Sequence, residues 1–172
     1  MNYLVIKCCL LTCLSLTAAE PLVLSKDYWN DEAFLSSFNG SYRINARIEP
    51  SVTSEERSLL VKIQPLMAEG QREAALEMLN TNELAKSSAA IAFNIGNIYF
   101  ELGELKSAEQ SYLQALKEFP SFRRAHRNLG FVYVRESDWA KALPALEESI
   151  RLGDHDGATF GVYETINDNG TK

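Results

Sequence analysis

The chain has 172 residues, with 17 lysines and arginines against 23 aspartates and glutamates and a formal net charge of −6. Proteins that bind nucleic acid need a basic surface to displace counterions, so a chain this acidic argues against a nucleic-acid-binding function. The length is sufficient for one domain with a hydrophobic core.

Residues 1–19 have the pattern of a secretory signal peptide. Lys7 precedes an apolar run that is too short to span a bilayer, and small residues follow it. Cleavage before Glu20 is therefore expected, and the protein would be periplasmic or secreted. A lipoprotein signal cut before Cys13 is the alternative. No later apolar run approaches transmembrane length, so no membrane span is expected after cleavage.

All three cysteines, Cys8, Cys9 and Cys13, lie within the predicted signal. Cleavage would leave a chain without disulfides, thiol nucleophiles or thiolate metal ligands. It would also remove Lys7, leaving 16 basic and 23 acidic side chains and a net charge of −7. Repulsion of that kind keeps a soluble protein apart from its neighbours.

Residues 20–53 are predicted to be an aromatic-rich segment followed by a linker. Asn30 or Asp31 can cap a short helix that ends at Asn39–Gly40. The stretch RIEPSV, which contains Pro50, is predicted to be extended. Three interpretations of the aromatic residues are open: they cover an exposed end of a helical core, they dock a partner, or they belong to a disordered segment. These residues are Tyr28, Trp29, Phe34, Phe38 and Tyr42.

From Thr53 onward the sequence predicts helices. The residues TSEE supply an N-cap followed by acids in the first turn, where the helix dipole favours negative charge. Helix-length blocks follow, separated by single glycines, a Ser-Asp pair or a proline. No long stretch alternates in the manner of a strand, so the predicted fold class is all-α.

Several residues recur at an offset of 34 positions, which indicates an internal repeat. Glycines at such positions let two antiparallel helices approach closely. Tyrosines would fill the space between neighbouring pairs, and second-helix alanines would lie where nothing larger fits. The recurring pairs are Gly96 and Gly130, Tyr99 and Tyr133, Ala108 and Ala142, and Ile95 and Leu129.

This recurrence resembles the tetratricopeptide repeat (TPR), whose pattern runs roughly W-x2-L-G-x2-Y, then A-x3-F, an alanine and a proline. In residues 89–122 the corresponding positions are Ala92, Ile95, Gly96, Tyr99, Ala108, Tyr112, Ala115 and Pro120. In residues 123–156 the matches are Leu129, Gly130, Tyr133, Ala142 and Leu146. That second unit departs from the pattern at His126, Ser149 and Asp154. The resemblance implies a right-handed superhelical stack of antiparallel helix pairs, an α-solenoid.

The units on either side of these two repeats are less regular. Residues 54–88 are predicted to form a degenerate helix pair, in which Pro65 stands in the place of the repeat tyrosine and would kink the first helix. Residues 157–172 begin like the first helix of another repeat and then lose the pattern. Ala158 to Ile166 would form a short cap that closes the array. The open alternative is that the chain is a shortened version of a longer repeat protein.

Few residues carry the chemistry of an enzyme or of a metal site. His126 and His155 lie far apart, and the GDHDG stretch would need further ligands, so it is predicted to be a solvated loop. No catalytic motif, metal site or cofactor is predicted. His126 is expected to pack between helices with one nitrogen bonded or reaching water. Trp139 is expected to fill the core.

In proteins with this repeat, the first helices line a concave groove that holds an extended peptide or a partner's helix. Register predicts that the partner-binding residues of this groove are Phe93, Asn97, Phe100, Arg124, Arg127, Asn128 and Phe131. Glu101 and Arg135 also map to it. One subclass clamps a peptide's terminal carboxylate, and Asn97 and Asn128 fall where that clamp has its two asparagines. Phe93 replaces a lysine of the clamp and no complete third repeat follows, so this specific clamp is not predicted.

The stretch FPSFRRAHRNLG, residues 119–130, is a cationic cluster in an acidic chain. Ser121 is the predicted N-cap of the helix, which puts Arg123 and Arg124 in its first turn. Exposed cations there oppose the helix dipole by roughly 0.3–1 kcal/mol each. Their presence therefore suggests a role beyond solubility.

Register divides these cations. Arg124 and Arg127 should face the groove and bind a carboxylate of an acidic partner segment, since a guanidinium makes two parallel hydrogen bonds to a carboxylate. Arg123 should point to solvent. The alternative is that the groove arginines pair within the chain, with Glu101 or Glu118.

The expected function is protein–protein interaction: an exported scaffold that binds a protein or peptide partner in its groove, without catalysis. The stretches FPSFRRAHRNLG and LGDHDG are also similar to bacterial envelope repeat proteins associated with TonB-type energy-transduction systems. That likeness implies, as an alternative, an accessory subunit of an envelope transport complex. Alternatives of other classes are an envelope hydrolase or carrier, and a shortened relic of a longer scaffold. The sequence identifies neither the partner nor the oligomeric state.

Overall fold

A computed structural model describes residues 47–170, with side chains through Asp168. These residues contain no strand, and the all-α prediction is confirmed. The predicted signal, the aromatic residues and the helix expected after Asn30 or Asp31 lie outside the described residues. A short 3-10 helix, Glu83–Lys86, lies between the second and third α-helices. The α-helices are α1 (Ser54–Ala68), α2 (Arg72–Asn80), α3 (Ala89–Leu102), α4 (Leu105–Glu118), α5 (Arg123–Arg135), α6 (Trp139–Arg151) and α7 (Gly157–Gly170).

Side-chain caps set the starts of the first and third helices. Thr53 and Glu56 form a capping box: the Glu56 amide donates to Thr53 Oγ1 at 3.2 Å, and the Thr53 amide donates to Glu56 Oε2 at 2.7 Å. This confirms the N-cap predicted from TSEE. Ser88 Oγ accepts from the Ile91 amide at 3.1 Å at the start of α3. Each cap satisfies backbone donors that have no partner within the helix.

The repeat glycines are sites of close helix approach. A methyl group at Gly96 would lie 2.6 Å from Cε1 of Tyr112 on α4, and one at Gly130 would lie 2.6 Å from Cδ2 of Leu146 on α6. The α3–α4 and α5–α6 pairs accordingly share the most extensive helix contacts. Ala108 is fully buried, as expected for a second helix that leaves no room for a larger side chain.

Helix α3 is buried on two sides and joins the two parts of the core. Ile91, Ile95 and Ile98 pack with Leu59 of α1 and its neighbours. The phenylalanines of α3 belong instead to the larger core that runs through α4 and α5 to α7. The first helix pair therefore packs on one side of α3, and the remaining helices pack on the other.

The last helix extends beyond its predicted bounds. A short cap was expected over Ala158 to Ile166, whereas α7 runs for 14 residues. Asp156 Oδ1 accepts from the Ala158 amide at 2.8 Å and so supports the start of α7. Val162 and Ile166 are buried in the larger core.

The expectations for Trp139 and for the GDHDG loop are wrong. Trp139 is 48 % exposed rather than part of the core, since it is the first residue of α6. The GDHDG loop is not fully solvated, because the Asp154 carboxylate is buried in it.

Asp154 is buried because it joins α6 to α7. Ser149 Oγ donates to Asp154 Oδ2 at 2.7 Å, and Thr159 Oγ1 donates to the same oxygen at 3.1 Å. The Asp156 amide donates to Asp154 Oδ1 at 3.1 Å. A buried carboxylate is stable when hydrogen bonds of this kind satisfy it. Two of the three departures from the repeat pattern, Ser149 and Asp154, are thus the two ends of one hydrogen bond.

Gly96→Ala should destabilise the protein by about 1–3 kcal/mol, because the added methyl group overlaps the Tyr112 ring. The matched control is Gly161→Ala in α7, where a methyl group meets nothing within 4 Å. That control should stabilise the protein by up to about 1 kcal/mol through helix propensity. Urea unfolding followed by circular dichroism measures both changes. Equal stability of the two variants would contradict the close approach at Gly96.

Candidate partner-binding site

The predicted groove residues come together between α3 and α5, and we call this surface the α3–α5 face. Asn128 Nδ2 donates to Asn97 Oδ1 at 3.0 Å, and the Arg124 guanidinium lies 4.9 Å from the centroid of the Phe93 ring. All seven residues are buried, with exposed fractions between 0 % and 7 %. The face is therefore closed to solvent, whereas an open groove was expected. Its members are Phe93, Asn97, Phe100, Arg124, Arg127, Asn128 and Phe131.

The two asparagines of the face bind each other rather than solvent. Asn97 Oδ1 accepts from the Tyr112 hydroxyl at 2.8 Å as well as from Asn128. Burial raises the pKa of the Tyr112 phenol well above its ordinary value, so the hydroxyl stays protonated as a donor. Arg127 Nε donates to Asn128 Oδ1 at 3.3 Å. These hydrogen bonds make the asparagines a polar junction among α3, α4 and α5.

Arg124 lies between two aromatic rings and a carboxylate. Its guanidinium carbon is 4.9 Å from the ring centroid of Phe93 and 5.5 Å from that of Phe122. Its Nε donates to Glu49 Oε2 at 2.8 Å, and both side chains are buried. A buried charge requires such a partner, because desolvation of an uncompensated ion costs several kcal/mol.

Arg123 binds the same carboxylate, so the expectation that it points to solvent is wrong. Its Nη2 lies 3.3 Å from Glu49 Oε1, and its Nη1 donates to the Gly153 carbonyl at 3.2 Å. Two adjacent arginines therefore hold the two oxygens of one carboxylate. We call the arrangement of Glu49, Arg123 and Arg124 the Glu49 clamp.

The backbone before Glu49 also binds the start of α5. The Arg123 amide donates to the Ile48 carbonyl at 3.0 Å, and Ser121 Oγ donates to the Arg47 carbonyl at 2.9 Å. The predicted capping role of Ser121 is therefore wrong, since its hydroxyl is used elsewhere and Phe122 is the N-cap. Glu49 supplies the negative charge that the helix dipole favours at this end.

Arg127 pairs with the loop before α7. Its Nη1 lies 3.5 Å from Asp156 Oδ2. Burial lowers the pKa of the Arg127 guanidinium from its ordinary value, and the negative charges of Asp154 and Asp156 act in the opposite direction. A guanidinium titrates so far above neutrality that Arg127 remains a cation.

The acids proposed as internal partners of these arginines are engaged elsewhere. Glu101 Oε2 accepts from Arg72 Nε at 2.7 Å, and Glu118 Oε1 accepts from Gln114 at 2.9 Å. Internal pairing does occur, but with Glu49 and Asp156. Sequence reasoning missed Glu49, which lies 75 positions before Arg124 and carries no periodic or spacing signal.

Arg135 lies at the edge of the face, against Phe100. The Arg135 guanidinium lies 4.6 Å from the centroid of the Phe100 ring, and its Nη1 donates to the Phe100 carbonyl at 3.0 Å. Burial lowers the pKa of Arg135 from its ordinary value. Arg135 is half-buried, so it is more accessible than the buried Arg124 and Arg127.

His126 turns away from this cluster. Its Nε2 lies 2.8 Å from the Pro120 carbonyl oxygen, which confirms that one ring nitrogen is bonded. The residue is half-buried rather than enclosed between helices.

No group of three or more histidine, cysteine, aspartate or glutamate side chains among the described residues is placed to bind a metal ion. In the same part of the chain, no helix has the length and apolar character needed to cross a membrane. The interactions that this site offers are charge pairing, amide hydrogen bonds and aromatic contact.

Glu49→Ala should destabilise the protein by about 3–5 kcal/mol, because it leaves Arg124 buried without its carboxylate. The matched control is Glu83→Ala, which removes an exposed ion pair with Lys86 and should change stability by less than about 1 kcal/mol. The free energy of unfolding in urea measures both. If the two variants lose the same amount, the Glu49 clamp does not stabilise the fold.

Comparison with known proteins finds one matching family model, over part of the chain. Residues 96–137 match the family model of the TPR repeat. No curated protein sequence matches the chain. The three solved structures described next share between 17 % and 21 % sequence identity with this chain. Similarity at that level of identity shows the fold alone.

Three solved structures illustrate that fold. The first TPR of Spaghetti (RPAP3), bound to the HSP90 peptide SRMEEVD, has a TM-score of 0.63 at 17 % identity and covers 70 % of this chain and 98 % of its own. The Sgt2 TPR domain from Aspergillus fumigatus has a TM-score of 0.62 at 19 % identity, covering 70 % and 82 %. MamA from Desulfovibrio magneticus RS-1 has a TM-score of 0.60 at 21 % identity, covering 69 % and 67 %.

Proposed function

We propose that this protein, which contains tetratricopeptide repeats, is an exported scaffold that binds an acidic, non-helical segment of a partner protein along the α3–α5 face. The observation that carries the proposal is the Glu49 clamp. There Arg124 of the face and its neighbour Arg123 hold one carboxylate, and the Arg123 amide and the Ser121 hydroxyl hold the attached backbone. Recognition of a side chain and of its main chain together is the chemistry that peptide binding requires.

The composition of the face supports an acidic ligand. Arg123, Arg124, Arg127 and Arg135 lie on one helix of a chain whose net charge is −6. Guanidinium groups bind carboxylates with charge-assisted hydrogen bonds that are about twice as strong as neutral ones. The phenylalanines of the face lie beside these charges, with the Phe93 ring centroid 4.9 Å from the Arg124 guanidinium carbon. A partner segment with one or two acidic residues among apolar ones fits this surface.

A structural relative supports the same class of ligand. The peptide bound to the first TPR of Spaghetti, SRMEEVD, contains three acidic residues in seven. The proposal for this chain is of the same kind: binding without catalysis, with specificity from charge and aromatic contact. It assigns no reaction and no cofactor to the face.

The exported location is part of the proposal. We expect N-terminal sequencing of the protein purified from its own cells to begin at Glu20, with the protein in the envelope or culture fraction. A lipid-modified Cys13 at the N-terminus would show a lipoprotein instead. An intact Met1 in the cytoplasmic fraction would contradict export.

Site-specific photo-cross-linking in intact cells tests the binding face. A photoreactive residue in place of Arg135, at the accessible end of the face, should give a discrete adduct with a partner. The matched control replaces Leu113, which is exposed on the surface of α4. Adducts from Leu113 alone, or the same adducts from both positions, would contradict binding at the α3–α5 face.

The chemistry of the partner is tested in the same experiment. Arg124→Glu combined with Arg127→Glu should abolish the Arg135 adduct, and circular dichroism shows whether the variant is folded. Identification of the adduct by mass spectrometry also addresses the narrower alternative. A component of a TonB-type transport system would favour the accessory-subunit function, and an unrelated envelope protein would exclude it.

A further inference from the structure

The first described residues, 47–49, lie against the α3–α5 face. Glu49 is only 3 % exposed and lies in the Glu49 clamp, and the Ile48 and Arg47 carbonyls bind the start of α5. The chain just before Arg47 therefore starts beside the face. The segment before Arg47 is therefore the part of the chain outside the described residues that begins nearest to the face.

The segment before Arg47 is long enough to cover the face. Residues 20–46 have a contour length of roughly 90 Å when extended, at about 3.3–3.6 Å per residue. Helix α3 is roughly 21 Å long, at 1.5 Å per residue. The segment can therefore run the length of the face with most of its residues to spare.

The composition of the segment complements the face. It contains four acidic residues against Lys26 and Arg43, whereas the helix it meets carries four arginines. Its aromatic residues match a surface whose own rings, Phe100 and Phe131, are 1–2 % exposed. Aromatic side chains pack favourably against phenylalanine rings, so the composition of the segment suits an apolar contact with the face. The aromatic residues of the segment are Tyr28, Trp29, Phe34, Phe38 and Tyr42.

We propose that residues 20–46 are the resident ligand of the α3–α5 face, anchored by Glu49, and that a partner segment binds by displacing them. The displacement half of this proposal rests on the proposed function. The occupancy half does not, since the segment can cover the face in a chain that binds no partner there. Competition of this kind lowers partner affinity by the fraction of molecules whose face is open.

The chain is suited to a direct test of occupancy. It has two tryptophans, so Trp139→Phe leaves Trp29 as the single tryptophan reporter of the segment. Trp139 is half-exposed, so this change removes little packing. Replacement of Cys8, Cys9 and Cys13 by serine makes an introduced cysteine unique for attachment of a nitroxide, which quenches nearby tryptophan fluorescence.

Three label positions distinguish the face from other surfaces. We expect a nitroxide at Arg135→Cys, on the face, to cause a loss of Trp29 emission that urea reverses. Labels at Leu113→Cys on α4 and Val61→Cys on α1, both exposed positions, should cause little loss. Strongest quenching from Val61 would mean that the segment covers the first helix pair, and equal or absent quenching from all three would mean that it is not docked. Either result overturns the proposal.

The anchor is tested by Glu49→Gln, which keeps the shape of the side chain and removes its charge. We expect less quenching of Trp29 from Arg135 and about tenfold tighter binding of the cross-linked partner, as an increase in the open fraction predicts. Glu83→Gln should change neither. Unchanged quenching in a folded Glu49→Gln protein would overturn the anchoring role. Quenching of Trp29 without any partner adduct would support occupancy of the face by the segment and contradict the proposed function. A partner adduct without quenching would support the proposed function and contradict occupancy.

Discussion

Two adjacent cations at the start of α5 depend on a carboxylate from outside the repeats. Arg124 is buried between the rings of Phe93 and Phe122, where an uncompensated guanidinium would be strongly destabilising. Glu49 compensates it and binds Arg123 as well, and its negative charge also suits the helix dipole. The charges at the start of α5 are therefore compensated only when the linker before α1 packs against this helix. This interaction ties the N-terminal part of the chain to the second repeat.

Two of the three departures from the repeat pattern form an interacting pair, and the third has a hydrogen-bond partner elsewhere. Ser149 stands where the pattern has alanine and Asp154 where it has proline, and the two share a 2.7 Å hydrogen bond. The third departure, His126, binds the carbonyl of Pro120 in the preceding turn. A buried polar group is tolerated when its partner is also present, which explains how the second unit keeps the fold with a different set of residues.

The buried state of the α3–α5 face constrains how the proposed partner could bind there. An open groove would bind a partner by contact alone, whereas a closed one must exchange internal interactions for external ones. Asn97 and Asn128 are held in a network with Tyr112, so they maintain the junction of the helices. The arginines of the Glu49 clamp, in contrast, already bind a ligand that resembles a peptide. Their existing ligand is a carboxylate on a non-helical segment of the same chain.

Four features could be predicted from the sequence: the helical class, the N-cap in TSEE, the repeat glycines, and the TPR resemblance, which the family model supports over residues 96–137. These features recur at a fixed spacing or follow local capping rules, so they can be read without knowing the fold. Which acids meet the arginines depends instead on how distant parts of the chain pack together. Glu49 has no periodic neighbour and lies 75 positions from Arg124, and Asp154 is buried only because α6 and α7 meet around it. Pairing between distant charges depends on the desolvation that packing imposes, and no local pattern records it.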